Sequence, residues 1–158
     1  YSITTRDTYF SIRAPSDLSF DEWEASESPF VVEKSFSGVN EYFKLTDNIW
    51  ADVGYYTTLQ ISDLDNGSWD SISYTTIAIK SLNGVETLSW SVNSNVYSAI
   101  TWTYQYFTAS PLTFIRRDTG ANGGLTWTYG IHTVWKIDIP ALQNIWNYTG
   151  VITYTLYE

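Results

Sequence analysis

Apolar and polar side chains alternate residue by residue through much of this 158-residue chain, and this period of two limits its fold more than any other sequence feature. A pleated strand sends successive side chains to opposite faces, whereas an amphipathic helix repeats its apolar residues every three or four. In segment 151–157, Ile152, Tyr154 and Leu156 share one face, and Val151, Thr153, Thr155 and Tyr157 share the other. The same alternation predicts strands over 8–13, 30–36, 55–61, 75–79, 87–92, 99–107, 112–116, 125–129 and 133–139. Segment 99–107 alternates most clearly, with Ile100, Trp102, Tyr104 and Tyr106 on one face. Asn66-Gly67 and Asn83-Gly84 read as turns between strands.

These runs add up to about ten strands, and no long Ala/Glu/Lys/Leu-rich stretch competes with them. The expected fold is all-β: an Ig-like or pilin-like antiparallel β-sandwich forming a single domain over 1–158. Segment 14–29 reads as an acidic loop, with one helical turn over 19–23. It separates the body from residues 1–13, an N-terminal strand that could be exchanged between copies.

Charge narrows the partners. The formal net charge is -9, and residues 1–79 hold 13 acids against 4 bases while residues 80–158 hold 4 of each. Nucleic-acid binding needs clustered Lys and Arg, so that partner class is excluded. Asp17, Asp21, Glu22, Glu24, Glu27 and Glu33 follow Arg13 with no base before Lys34, and this block suits either a solvated loop or steering of a basic patch on a neighbour. Absence of cysteine excludes disulfides and thiolate metal sites. No run of 18 apolar residues predicts a membrane span. Few lysines, many Thr, Ser, Asn and Tyr, and a first residue other than Met suggest a secreted chain whose signal peptide is gone, placed outside the cell or on its surface.

Little in the sequence points to catalysis. His132 is the single histidine, too few for a histidine-based metal site, and no Gly-x-Ser-x-Gly elbow accompanies it. It reads as a structural residue. Asp63, Asp65 and Asp70 bracket the Asn66-Gly67 turn, but the calcium-loop pattern fails at Gly67 and Tyr74. No catalytic residue, metal, cofactor or enzyme activity is assigned.

The aromatic content is more telling, with 8 Trp and 13 Tyr. Trp90, Trp102 and Trp135 alternate with aliphatic residues and read as core. Trp23, Trp50, Trp69, Trp127 and Trp146 fall in loops or at strand ends, where exposed rings favour a partner surface. Trp50, Trp69, Trp127 and Trp146 are the candidate ligand-binding aromatics, with surface glycans as the ligand.

The last third carries a resemblance. Thr-Phe-Ile-Arg-Arg at 113–117, Asn-Gly-Gly at 122–124, Tyr-Gly at 129–130, Ile-Pro at 139–140 and Tyr-Thr-Gly-x-Ile-Thr-Tyr-Thr-Leu-Tyr at 148–157 resemble the C-terminal region of uncharacterised secreted proteins of uncultivated, small-genome bacteria. The ending is also similar to the terminal strand of WxL-type surface domains and of pilin-like sandwiches. The resemblance implies an Ig-like sandwich, secretion and a surface role, and it transfers no catalytic residue.

The expected function is a structural subunit of an extracellular filament or surface assembly. Copies would join head-to-tail by strand complementation and aromatic contacts, with self as the partner. Ile3, Phe10, Ile12, Trp23, Arg116 and Arg117 are the candidate interface residues, the two arginines facing the acidic block of a neighbour. The alternative is a carbohydrate-binding or adhesive module. The structural counterpart to strand exchange is that both terminal strands pair within their own domain.

Overall fold

The computed structural model describes residues 10–15, 18–48, 54–89, 96–119, 127–145 and 147–158, without the side chains of Ser89 and Trp127. Among these residues there is no α-helix, only a short 3-10 turn at Tyr74–Thr76. Twelve strands form: β1 (Phe10–Arg13), β2 (Phe30–Phe36), β3 (Phe43–Asp47), β4 (Tyr55–Ile61), β5 (Leu64–Asp65), β6 (Ser71–Ile72), β7 (Ile77–Ser89), β8 (Val96–Ser98), β9 (Gln105–Tyr106), β10 (Leu112–Arg117), β11 (Trp127–Ile139) and β12 (Ile152–Tyr157). One sheet runs β1-β3-β11-β7-β9, with β2 also on β11; a second runs β12-β4-β10-β8; β5 and β6 form a separate hairpin. The protein is an antiparallel all-β sandwich.

The thirteen-residue β11 organises the first sheet. Along one side, Trp127–Ile131 pair with β3 and Thr133–Ile139 pair with β2. β7 pairs along the other side. Both faces of the middle of this strand are covered: Tyr129, Ile131, Thr133 and Trp135 are buried, and so are His132 and Val134 between them. Rings join the two sheets. Phe43 of β3 meets Phe114 of β10 edge-on at 5.0 Å and Tyr154 of β12 at 5.6 Å, and lies 6.4 Å from Trp135. Fully burying such a side chain contributes about 1.5–3 kcal/mol. The Trp135 indole Nε1 donates to Thr133 Oγ1 at 2.8 Å, which lets the ring sit in the core with its polar atom paired.

The final alternating segment is β12, paired with β4 from Ile152↔Ile61 to Tyr157↔Tyr56. The strands expected over 30–36 and 55–61 form with those bounds. Several other expectations are corrected. Residues 77–79 and 87–89, the latter being the described part of the strand expected over 87–92, belong to the single strand β7, while Thr75 and Thr76 lie in the 3-10 turn before it and Asn83-Gly84 lies inside the strand. Between Ser81↔Thr133 and Val85↔Ile131, β7 advances four residues while β11 advances two, so the dipeptide forms a bulge. Gly84 takes φ 75°, and its N–H donates to Ser81 Oγ at 2.8 Å. Residues 127–129, the described part of the strand expected over 125–129, and residues 133–139 likewise lie in one strand, β11. Gly130 does not break that strand. A Cβ there would stand 2.9 Å from Tyr42 Cδ1 and 3.0 Å from Leu88 Cδ1, so glycine permits the close approach of those side chains.

The strand expected over 99–107 reduces to β9. Thr101 and Thr103 form a local hydroxyl turn, with Thr103 N–H donating to Thr101 Oγ1, and the chain leaves the ladder there. Trp102, expected in the core, is therefore 66% exposed. The helical turn expected over 19–23 is absent. β3 was hidden in the sequence because its third inward residue is Asp47, a carboxylate in an apolar alternation.

Candidate functional site

The features that could engage a partner gather at the N-terminal edge of the sandwich. β1 pairs antiparallel with β3 through Phe10↔Asp47, Ser11↔Thr46, Ile12↔Leu45 and Arg13↔Lys44, and among the described residues it is an edge strand of its sheet. Phe10 and Ile12 are half-buried on the core, and the Phe10 ring meets Tyr55 of the opposite sheet edge-on at 4.9 Å. In this structure, then, β1 lies in its own sheet. Ile3 lies outside the described residues.

Segment 14–29 leads on from β1 without regular secondary structure in its described parts. Its acids Asp21, Glu22, Glu24 and Glu27 are exposed, while Leu18, Phe20 and Trp23 between them pack on the core. Phe20 meets Phe36 edge-on at 5.7 Å, and Trp23 stacks on Tyr148 at 5.9 Å. Lys34 Nζ donates to Asp21 Oδ1 at 2.8 Å, and Leu142 N–H donates to Ser26 O at 2.8 Å. The expected solvated loop is thus amphipathic, with acids out and rings in. A cleft of about 950 Å³ lies between this segment and the stretch from Asn147 to Ile152.

The structure separates the two arginines. Successive residues of a strand point to opposite faces, so Arg116 is exposed while Arg117 turns inward. The Arg116 Nε donates to Asp118 Oδ1 at 2.9 Å. Arg117 Nη1 donates to Asp47 Oδ2 at 2.9 Å, with both side chains almost wholly buried. Arg117 therefore does not face a neighbour; this expectation is corrected. Burial, and then the Asp47 carboxylate, push the Tyr55 and Tyr129 phenols beside this pair above the ordinary tyrosine range.

Trp135 and Trp69 lie as expected, in the core and in solvent, whereas Trp102 departs from the expectation. Trp69, at the tip of the β5–β6 hairpin, is 98% exposed. Trp23 is half-buried, and its Nε1 is buried without a hydrogen-bond partner among the described residues. Trp127 opens β11, and its side chain is outside the description; Trp50, Trp146 and Trp90 also fall outside the described residues.

His132 Nδ1–H donates to Glu86 Oε1 at 3.2 Å, the Tyr42 ring lies 3.9 Å away, and Nε2 has no partner among the described residues. Neither Tyr42 nor Glu86 was singled out by the sequence, since each contacts His132 only through the pairing of β3 and β7 with β11. Asp63 accepts from Tyr74 N–H and Asp65 from Gly67 N–H, so these carboxylates cap the hairpin's turns. Among the described residues, no three His, Asp or Glu side chains gather in a metal-binding group. No described helix is long and apolar enough to cross a membrane.

The geometry defines an antiparallel β-sandwich with a peripheral N-terminal strand, an acidic-aromatic covering segment and an adjoining cleft. No protein-family model, curated protein or solved structure matches the chain.

Proposed function

We propose that this protein is a structural subunit of an extracellular filament or surface assembly, in which copies join by exchanging β1. The observation that carries this reading is the attachment of β1 among the described residues: one hydrogen-bonded neighbour, four residue pairs and two half-buried apolar side chains. Partial burial of Phe10 and Ile12 contributes about 1–2 kcal/mol each, so release of the strand is inexpensive beside the whole fold. Exchange restores the same contacts in the neighbour. Residues 14–29, sixteen in all, span roughly 50 Å when extended, and reaching an adjacent copy over that length takes Leu18, Phe20 and Trp23 off the core along with β1. If each copy donates forward, the contact does not close and a filament grows. The exposed Tyr56 and Tyr157, their rings stacked at 4.9 Å on β4 and β12, offer further aromatic contact area.

A disulfide lock tests this in a chain that has no cysteine of its own. Ser11 and Thr46 are directly opposed in the β1–β3 register, and opposed antiparallel residues lie about 4.5–5.5 Å apart, within disulfide reach. S11C/T46C should form fibres by negative-stain microscopy when reduced and remain monomeric when oxidised. Equal assembly in both states would refute the exchange, as would normal polymerisation after deletion of residues 1–13.

Exposed Trp69 supports the second reading, a glycan-binding or adhesive module. Tryptophan fluorescence titrated with polysaccharides should shift in the parent and not in W69A; a flat response across the panel would rule this reading out.

A further inference from the structure

The cleft under segment 14–29 has the size and chemistry of a ligand site while that segment lies on its own domain. Its volume, about 950 Å³, is at the upper end of the roughly 300–1,000 Å³ typical of small-molecule sites. Leu18, Phe20, Trp23, Tyr148 and Ile152 line it while keeping part of their surface uncovered, and the core rings of Phe43 and Trp135 stand behind them. Partly uncovered apolar surface in a concave wall favours an apolar occupant.

One polar feature limits what that occupant can be. Glu22 lines the cleft, is exposed, and has no ion-pair partner among the described residues, whereas Asp21 beside it is engaged by Lys34. Glu24 and Glu27 extend the negative potential along the same segment. An anionic head group would be repelled at this rim and a cationic one attracted. The Trp23 and Tyr148 rings stack on one another in the same wall, and electron-rich aromatic faces suit cations.

We infer that the cleft between residues 18–23 and 147–152 binds an amphiphilic cation, with an apolar chain in the cleft and a cationic head at Glu22.

Calorimetric titration with lauroylcholine, which has a chain, an ester carbonyl and a quaternary ammonium, tests this below the micellar concentration. One equivalent should bind. Dodecyl sulfate should bind at least roughly tenfold more weakly at low salt, and E22Q should narrow that gap, as should added salt. L18W places a larger side chain in the cleft and should abolish uptake. E22Q carries the test should L18W not fold. Equal binding of the cationic and anionic probes overturns the inference, and so does unchanged uptake by folded L18W. A concentration-dependent dimer without ligand uptake assigns the cleft to a second copy and also overturns it.

Discussion

Replacing Asp47 by alanine should destabilise the sandwich far more than an ordinary surface change. In the folded protein the Asp47 and Arg117 side chains are 2% and 3% exposed, joined at 2.9 Å between β3 of one sheet and β10 of the other. Asp47→Ala leaves a guanidinium buried with its carboxylate gone. Breaking a buried pair from one side costs about 3–5 kcal/mol, a large part of the usual domain stability of about 5–15 kcal/mol. For a domain of this size each kcal/mol shifts Tm by about 2–4 °C, so the expected fall is about 6–20 °C. Burial alone does not make the pair stabilising, because desolvating two ions offsets much of their attraction. The double variant Asp47→Leu/Arg117→Met should therefore recover most of the loss. Urea unfolding of the parent, both single variants and the double variant, followed by tryptophan fluorescence, measures this cycle. A loss below about 1 kcal/mol for Asp47→Ala, or a double variant as unstable as the summed singles, would refute the reasoning.

Three further outcomes follow from the packing. Burial raises the phenol pKa of Tyr55, Tyr129 and Tyr154 above the ordinary value of 10.0. Their contribution to stability is complete below pH 10 and declines as pH rises from there towards their folded values, by up to about 1.4 kcal/mol per pH unit for each. Titration at 295 nm should show these tyrosines ionising together with unfolding rather than before it. Gly130→Ala should cost about 1–3 kcal/mol, since its Cβ would press on the Tyr42 ring that lies against His132; a thermal melt checks this. Gly84→Ala meets no neighbouring atom within 4 Å but must hold φ 75°, so it should cost about 1 kcal/mol through the backbone alone, again read from the melt.

The strands most legible in the sequence are those with one buried and one exposed face. In β2 the alternation of side chains is also the alternation of burial, and β12 departs from it only at Thr155, which is partly buried. The pattern misled where local chemistry or a second contact intervened. Segment 99–107 alternates well, yet the hydroxyls of Thr101 and Thr103 turn the backbone out of the ladder. Asn83-Gly84 is a strong hairpin dipeptide, but β11 pairs with β7 on both sides of it, and the same positive φ serves a bulge. The candidate site was partly visible: the acidic segment, Phe10 and Ile12 could be picked out, whereas the inward turn of Leu18, Phe20 and Trp23 could not. Their positions depend on Phe36 and Tyr148, distant in sequence.

The sequence by itself determined that this chain is β-structured, acidic, free of cysteine and rich in aromatic rings, because those properties belong to residues and to their nearest neighbours along the chain. Tertiary structure alone decided which of two adjacent arginines is buried, which tryptophan lies in water and which in contact, and where a cleft remains. Those outcomes depend on the pairing partner and the opposing sheet, and a strand's own period of two cannot specify either.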